Sequence, residues 1–304
     1  MIVYKKLNIK SNFKKAVIAI GNFDGLHLGH QKVLNQAKEK AKKENLKFGV
    51  VTFEPIPTMF FNKNIKHHRI NSIEQKIYYL EKIKLDFLII IKFNKLFSNI
   101  SADNFIKKIL VNKLKSKYIF ISRNFRFGKK RKGNINTLKR FEKKYFYKTI
   151  ITIPYKKNKK IISSSLIRKN ITEGNVFNVK KYLGRPWSII GKVIKGQKRG
   201  RKIGFPTCNI KWGSYALPKL GVYGVKVESN NFKKKGIANI GYRPTFNGKT
   251  LLLEVNIFGI KKNLYRKTLK VSFIKFIRAE KKFRNISDLK KQIKKDIIIA
   301  KNNV

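Results

Sequence analysis

The chain has 304 residues, room for two ordinary domains each with its own core. It carries 73 Lys and Arg against 15 Asp and Glu, formally +58. The lysines are spread along the whole chain among abundant Ile, Asn and Phe, the drift of an AT-rich genome, so the charge predicts non-specific attraction to polyanions and excludes no enzyme class. Cys208 is the only cysteine, which excludes an intrachain disulfide and suits a reducing compartment. No apolar run approaches the ~18 residues of a membrane span. The N-terminus MIVYKKLNIK lacks the apolar core of a signal peptide, so a cytoplasmic protein is expected. Histidines 27, 30, 67 and 68 with one cysteine are a poor basis for a Cys/His zinc site.

The first half alternates strands and helices. Ala16–Ile20 is a short apolar run of the buried-strand kind, and Gly21 ends it. A turn follows through Asn22, Phe23, Asp24 and Gly25, and from Gly29 the spacing is helical, with Val33, Leu34, Ala37 and Ala41 on one face. A helix N-terminus offers free N–H groups and the positive end of its dipole, so this turn forms a seat for phosphate. His27 and His30 stand at its lip, able to donate to oxygens whose charge grows during transfer. The His-x-x-His pair alone also suits two surface histidines or half of a metal site.

Lys47–Phe53 reads as a second strand, stopped by Pro55 and Pro57. Ser72 and Gln75 form a capping box for a helix through Ile73, Ile77 and Leu80. Phe87–Phe93 is a third strand, Asn104–Leu114 a helix and Tyr118–Ser122 a fourth strand. This order implies a parallel sheet with ligands at the carboxyl ends of its strands. The loop ISRNFRFGKKRKGN brings Asn124, Arg126 and a basic turn to one such end. ISSSLIR then sets Ser164, Ser165 and Arg168 about a helix start, a second phosphate clamp or an ordinary N-cap.

The run from Gly21 to His30, Gly-x-Phe-Asp-Gly-x-His-x-Gly-His, resembles the signature of the HxGH nucleotidyltransferases, which join the α-phosphate of a nucleoside triphosphate to an acceptor and release pyrophosphate. Followed in order by VTFEPIP, RIN (69–71), NFRFGKKRKGN and ISSSLIR, it resembles the adenylyltransferase module of the prokaryotic bifunctional riboflavin kinase/FAD synthetase family over residues 1–184. The resemblance implies a Rossmann-like α/β domain in which Gly21, Asn22, Phe23, Gly25 and Gly29 bind nucleotide. It implies His27 and His30 on the ATP phosphates, Asn124 and Arg126 about flavin and nucleotide, and Ser164, Ser165 and Arg168 on the triphosphate. Ser122 stands where the family usually has glycine, a departure that matters if that position needs a positive φ, and Asn175 stands where an acid is common.

Gly184, Arg185 and Pro186 mark a boundary, after which short strands take over: Ile189–Ile194, Thr207–Trp212, Val222–Val227, Gly236–Ile240, Leu251–Phe258 and Leu269–Phe276. Six such strands predict a small antiparallel barrel. A terminal amphipathic helix through Leu289, Ile293, Ile297 and Ala300 follows, with Ser287 as candidate N-cap. GQKRGRKIGFPTCNI (196–210) lacks Walker spacing and reads as a plain turn or a phosphate loop. Thr207 and Asn209, two apart on a strand, point the same way and could both reach Mg²⁺. Glu254 lies in the apolar run LLLEVNIF, where a carboxylate needs a reason: a buried pair with a lysine, or the general base, which we favour.

With GRPWSIIGKVIKG, LGVYGV, IANIGYRPTF and IRAEKKF, this half resembles the riboflavin kinase module of the same family over about residues 184–300, which implies a kinase domain at 185–304. The resemblance implies that Gly196, Gly200, Arg201, Gly204 and Pro206 cover ATP, that Thr207 and Asn209 serve Mg²⁺, that Glu254 activates the ribityl hydroxyl, and that Arg278 lies in a loop closing on flavin. Asn256, Gly259 and Arg266 depart from the usual His, Asp and Gly. The expected function is phosphorylation of riboflavin to FMN, then adenylylation of FMN to FAD, with ATP as co-substrate. Expected partners are riboflavin, FMN, ATP and FAD, with no specific nucleic acid, no membrane, and a monomer or weak self-association. The alternatives are a single-activity HxGH nucleotidyltransferase on another phosphate acceptor, and a basic RNA-binding protein.

Overall fold

Six short β-rich runs of the first half line up side by side in the computed structural model, which describes residues 1–196, 199–245, 248–260 and 262–304. The chain packs as two compact units, residues 1–66 with 76–163 and residues 67–75 with 164–304.

In the first unit, strands β1 (Ile2–Tyr4), β2 (Val17–Ile20), β3 (Phe48–Glu54), β4 (Phe87–Lys92), β5 (Tyr118–Ser122) and β6 (Lys148–Thr152) form one sheet in the order β1-β4-β3-β2-β5-β6. Every pairing is parallel. β2 and β3 are buried on both faces, as their unbroken apolar sequence requires. The helix Leu28–Lys43 buries Val33, Leu34, Ala37 and Ala41, the predicted face, and carries its lysines elsewhere. The predicted Asn104–Leu114 helix begins at Ala102 and continues as a wider coil through Phe105–Lys113, burying Phe105, Ile106, Ile109 and Leu110. A two-residue hairpin, β7 (Lys156–Lys157) with β8 (Lys160–Ile161), ends the unit. β1, β6 and this hairpin go beyond the four strands expected.

The chain runs β2 to β3 to β4 toward one edge and returns to β5 and β6 on the other side of β2. The order therefore reverses between β2 and β5, and in open α/β sheets the crevice beyond the carboxyl ends at such a reversal is where ligands bind. The loops after β2 and β5 flank that crevice.

The second unit is built on a closed barrel of β9 (Ser188–Ile194), β10 (Cys208–Lys211), β11 (Gly221–Ser229), β12 (Phe232–Thr245), β13 (Gly248–Ile257) and β14 (Thr268–Ala279), in the order β10-β13-β12-β11-β14-β9. Each pairing is antiparallel, so closure leaves no open edge. Trp187, Trp212, Tyr223 and Phe273 are fully buried, with Trp187 stacked on Phe273 at 4.9 Å and Tyr223 edge-on to it at 5.3 Å. The buried indole N–H groups are satisfied, Trp187 donating to the Ile70 carbonyl (2.9 Å) and Trp212 to that of Tyr215 (3.0 Å).

Two helices, Ser164–Thr172 and Val176–Leu183, precede the barrel, and Gly184 closes the second with φ 73°, a left-handed cap suited to glycine. The C-terminal helix Ile286–Asn303 packs through Ala300 against Val222 and Ile237. Its N-cap is Asn285, whose side chain accepts from the Asp288 N–H (2.8 Å); the expected Ser287 lies inside the first turn. The Ser72–Gln75 capping box forms in both directions, at 3.0 and 3.2 Å.

Candidate active sites

The first site grows from the end of β2. Gly21 closes the strand, and the turn beyond it bends sharply, with Phe23, Gly25 and Leu26 at φ 46°, 84° and 41°. Left-handed backbone at non-glycine residues is strained and persists only where the surroundings hold it. Phe23 and Leu26 are each 2 % exposed, so packing fixes the turn. His27 is then the N-cap of Leu28–Lys43, and its Nδ1 accepts from the His30 N–H at 3.2 Å. With Nδ1 used as acceptor, the proton of the neutral ring lies on Nε2, which becomes the donor. The His27 and His30 rings stack at 3.6 Å with 18° between planes, and Phe23 meets His30 edge-on at 5.3 Å.

Gly29 makes that stack possible. A Cβ there would lie 3.1 Å from two His27 ring atoms and 3.3 Å from the Ile162 carbonyl oxygen. The predicted spacing thus puts two imidazoles at a helix N-terminus beside the topological switch.

Across the switch, Asn124 and Arg126 are exposed in the turn after β5, where the Phe125 N–H bonds to the Ser122 carbonyl (3.0 Å). Ser122 ends β5 in extended conformation, and the residues with positive φ do not include it, so serine is accommodated there without strain. Gly128 has φ 72°, and a Cβ on it would come within 2.7 Å of the Ala102 nitrogen. Ser164, Ser165 and Arg168 belong to the second unit. There Ser164 and Ser165 open a helix, and Arg168 Nε donates to the His68 carbonyl at 2.8 Å. Asn175 caps the next helix through the Asn178 N–H (3.1 Å), a role an acid would also fill.

The second site lies on the barrel's strands. Asn209 of β10 and Asn239 of β12 both pair with Glu254 of β13, so three oxygen-bearing side chains cross three strands in one row. Thr207, expected within the strand, immediately precedes β10, and its carbonyl neighbour Pro206 accepts from Asn256 Nδ2 at 2.6 Å. Asn256, two residues beyond Glu254, thus ties β13 to this segment. A cavity of about 660 Å³, the size of a small-molecule site, is lined by Thr207, Asn239, Glu254, Asn256, Arg278 and the apolar side of the C-terminal helix.

Asn209 is 7 % exposed and its Oδ1 has no hydrogen-bond partner among the described residues, an acceptor arrangement that fits a hard cation. Two described glycines of the segment before it are closely packed. A Cβ at Gly196 would lie 1.9 Å from Asn209 Nδ2, and one at Gly200 would lie 2.4 Å from the Phe205 carbonyl oxygen. Arg201, Gly204 and Pro206 are exposed around it. Gln197 and Lys198 of the predicted basic loop, and Phe246 of the matching segment IANIGYRPTF, lie outside the described residues.

Arg278, expected in a loop, lies instead within β14, where it pairs with Val222 and lines the cavity, and it is clamped by Asp296 of the C-terminal helix, Nε to Oδ2 at 2.9 Å and Nη2 to Oδ2 at 2.8 Å. Asp296 is 1 % exposed and also accepts from Gln292 Nε2 at 2.8 Å. Sequence reasoning missed Asn239 and Asp296. Asn239 carries no local signal, but Asp296, an acid beside Ile297 on an amphipathic helix, was a visible anomaly. Cys208, between the two metal-ligand candidates, has its thiol pushed up to about 11 by burial.

Two family models match the chain, FAD synthetase over residues 9–166 and riboflavin kinase over residues 183–304. Bifunctional riboflavin kinase/FMN adenylyltransferases are 44 % identical over 97 % of this chain and 96 % of the relative in Buchnera aphidicola of Schizaphis graminum. The Escherichia coli K12 relative is 34 % identical over 94 % and 91 %. A crystal structure described as a macrolide-efflux protein from Streptococcus pneumoniae superposes with a TM-score of 0.87 at 30 % identity, covering 99 % of this chain and 98 % of that one. No helix among the described residues is long and apolar enough to cross a membrane. A riboflavin kinase match over the barrel sets aside the single-activity nucleotidyltransferase. The chain belongs to the family of bifunctional riboflavin kinase/FMN adenylyltransferases.

Proposed function

We propose that the two activities of the family, phosphorylation of riboflavin to FMN and adenylylation of FMN to FAD, divide between residues 185–304 and residues 1–184, in the cytoplasm and in a monomer or a weakly self-associating chain. The observation that carries the division is one chain holding both a histidine-capped helix at a sheet's switch point and the Asn209–Glu254–Asn239 row on a barrel.

In the adenylylation, the loop Gly21, Asn22, Phe23 and Gly25 and the N-terminus behind Gly29 seat the ATP phosphates. His27 Nε2–H and His30 stabilise the charge gathering on the α-phosphate as FMN phosphate displaces pyrophosphate. Asn124 and Arg126 orient nucleotide and flavin, and the family resemblance assigns Ser164, Ser165 and Arg168 to the triphosphate. In the kinase reaction, Glu254 takes the proton of the ribityl 5′-hydroxyl as that oxygen attacks the γ-phosphorus and the bond to the bridging oxygen breaks, releasing ADP. The Gly196–Gly204 segment with Arg201 and Pro206 covers the phosphates, and Arg278, held on β14 by Asp296, meets the flavin from the cavity wall. Mg²⁺ held by Thr207 Oγ1 and Asn209 Oδ1 would neutralise phosphate charge. Each transfer is a direct displacement that rests on positioning and charge neutralisation.

Chromatography of flavins formed from riboflavin, ATP and Mg²⁺ tests this. Wild type is expected to yield FMN and then FAD, His27→Ala/His30→Ala FMN alone, and Glu254→Gln FAD only from supplied FMN. Loss of FMN formation in the histidine variant, or of FAD formation from supplied FMN in Glu254→Gln, with the fold intact, would overturn the division.

A further inference from the structure

Lys76 is the most buried lysine among the described residues, at 1 % exposure. It lies on the helix Ile73–Glu81. An ammonium out of water costs several kcal/mol unless it is well hydrogen-bonded, so such a lysine needs a reason.

Its Nζ donates to the Asn22 carbonyl at 2.8 Å and to Thr52 Oγ1 at 3.3 Å. Thr52, fully buried on β3, donates its own hydroxyl to the same carbonyl at 3.1 Å. Two donors from two elements thus converge on one backbone oxygen. That oxygen belongs to the first residue of the phosphate turn, immediately before the left-handed Phe23.

A peptide unit is planar and trans, so its N–H points opposite to its C=O. Drawing the Asn22 carbonyl toward Lys76 turns the Phe23 N–H the other way, away from the buried side. We propose that Lys76 is a positioning residue for nucleotidyl transfer: it fixes the Asn22–Phe23 peptide so that the Phe23 N–H is presented to the ATP phosphates. A donor aimed in advance needs no reorganisation when charge develops. This rests on the reading of the first unit's site as the adenylyltransferase site.

The riboflavin kinase activity of the same chain is the internal control. Lys76→Met is expected to lower kcat for FMN adenylylation about 100-fold, the typical loss of one preorganised donor, with KM for ATP within about threefold. Thr52→Val, which removes one of the two anchors and keeps the cation, is expected to lower kcat about tenfold. Riboflavin phosphorylation stays at the wild-type rate in both. Wild-type kcat in Thr52→Val and Lys76→Met, or a loss lying wholly in KM, would overturn the proposal. If Lys76→Met fails to fold by circular dichroism, Thr52→Val decides. His27→Ala run alongside separates the two failures: if it too adenylylates at the wild-type rate, the site reading has failed, and if it alone is impaired, only the role of Lys76 has.

Discussion

The first unit draws the turn and histidine pair of its candidate site from ten consecutive residues, Gly21 to His30, whereas the barrel draws its candidate site from strands and a helix spread between Gly196 and Asp296. In the first case the chemistry follows from local geometry: a strand ends, a strained turn redirects the chain, and the helix it starts supplies N–H groups and two stacked imidazoles. In the second, Asn209, Glu254 and Asn239 meet only because antiparallel register sets them opposite one another. A local site is vulnerable to changes of backbone and small side chains. A register-built site is vulnerable to changes in the long-range contacts that hold the strands and helix.

Four substitutions or probes press on this contrast. The largest effect is expected from Asp296→Ala, which leaves Arg278 without its carboxylate in a mostly buried setting and should remove about 3 kcal/mol of stability. Both tryptophans lie in the barrel, so chemical unfolding followed by their fluorescence reads that unit; an unchanged midpoint would deny that the clamp holds the helix. Next, alkylation of Cys208 at pH 8 should run about 100-fold slower than that of an ordinary thiol. Burial raises its pKa to about 11, the protonated form therefore persists below that pH, and the rate should climb only as pH nears it. Fast alkylation at pH 8 would mean that β10 does not carry Cys208 and Asn209 in the register described.

A smaller effect tests the local site. Gly29→Ala sets a methyl 3.1 Å from the His27 ring yet improves helix propensity by up to about 1 kcal/mol, so folding should hold while adenylylation falls roughly tenfold. Riboflavin phosphorylation, measured in the same samples, should not change. The smallest effect is a gain: Arg266 is exposed with φ 66°, and Arg266→Gly should stabilise the second unit by about 0.5–1 kcal/mol in the same unfolding experiment.

Much of this was legible in the chain. The apolar run before Gly21, the buried face of Leu28–Lys43, the Ser72–Gln75 capping box and all six barrel strands follow from periodicity and punctuation, because the hydrophobic burial that forms them acts over a few residues. β1 was not legible. Three residues at a sheet edge, two of them exposed, give no period to count. Lys76 sat in plain view on the stripe of Ile73, Ile77 and Leu80, but a charge on an apolar face says only that a partner must exist.

The sequence by itself determined which residue types were available and which of them stand within a turn of one another: His27 and His30, Thr207 and Asn209, the glycines between Gly196 and Gly204. Tertiary structure alone decided the strand order that puts a crevice between β2 and β5, the register that sets Asn209 and Asn239 against Glu254, and the return of Asp296 to Arg278. Local propensity is an energy of neighbours in sequence and can be read there. Pairing, register and closure are choices among distant segments, made by burying one common core, and no short stretch records them.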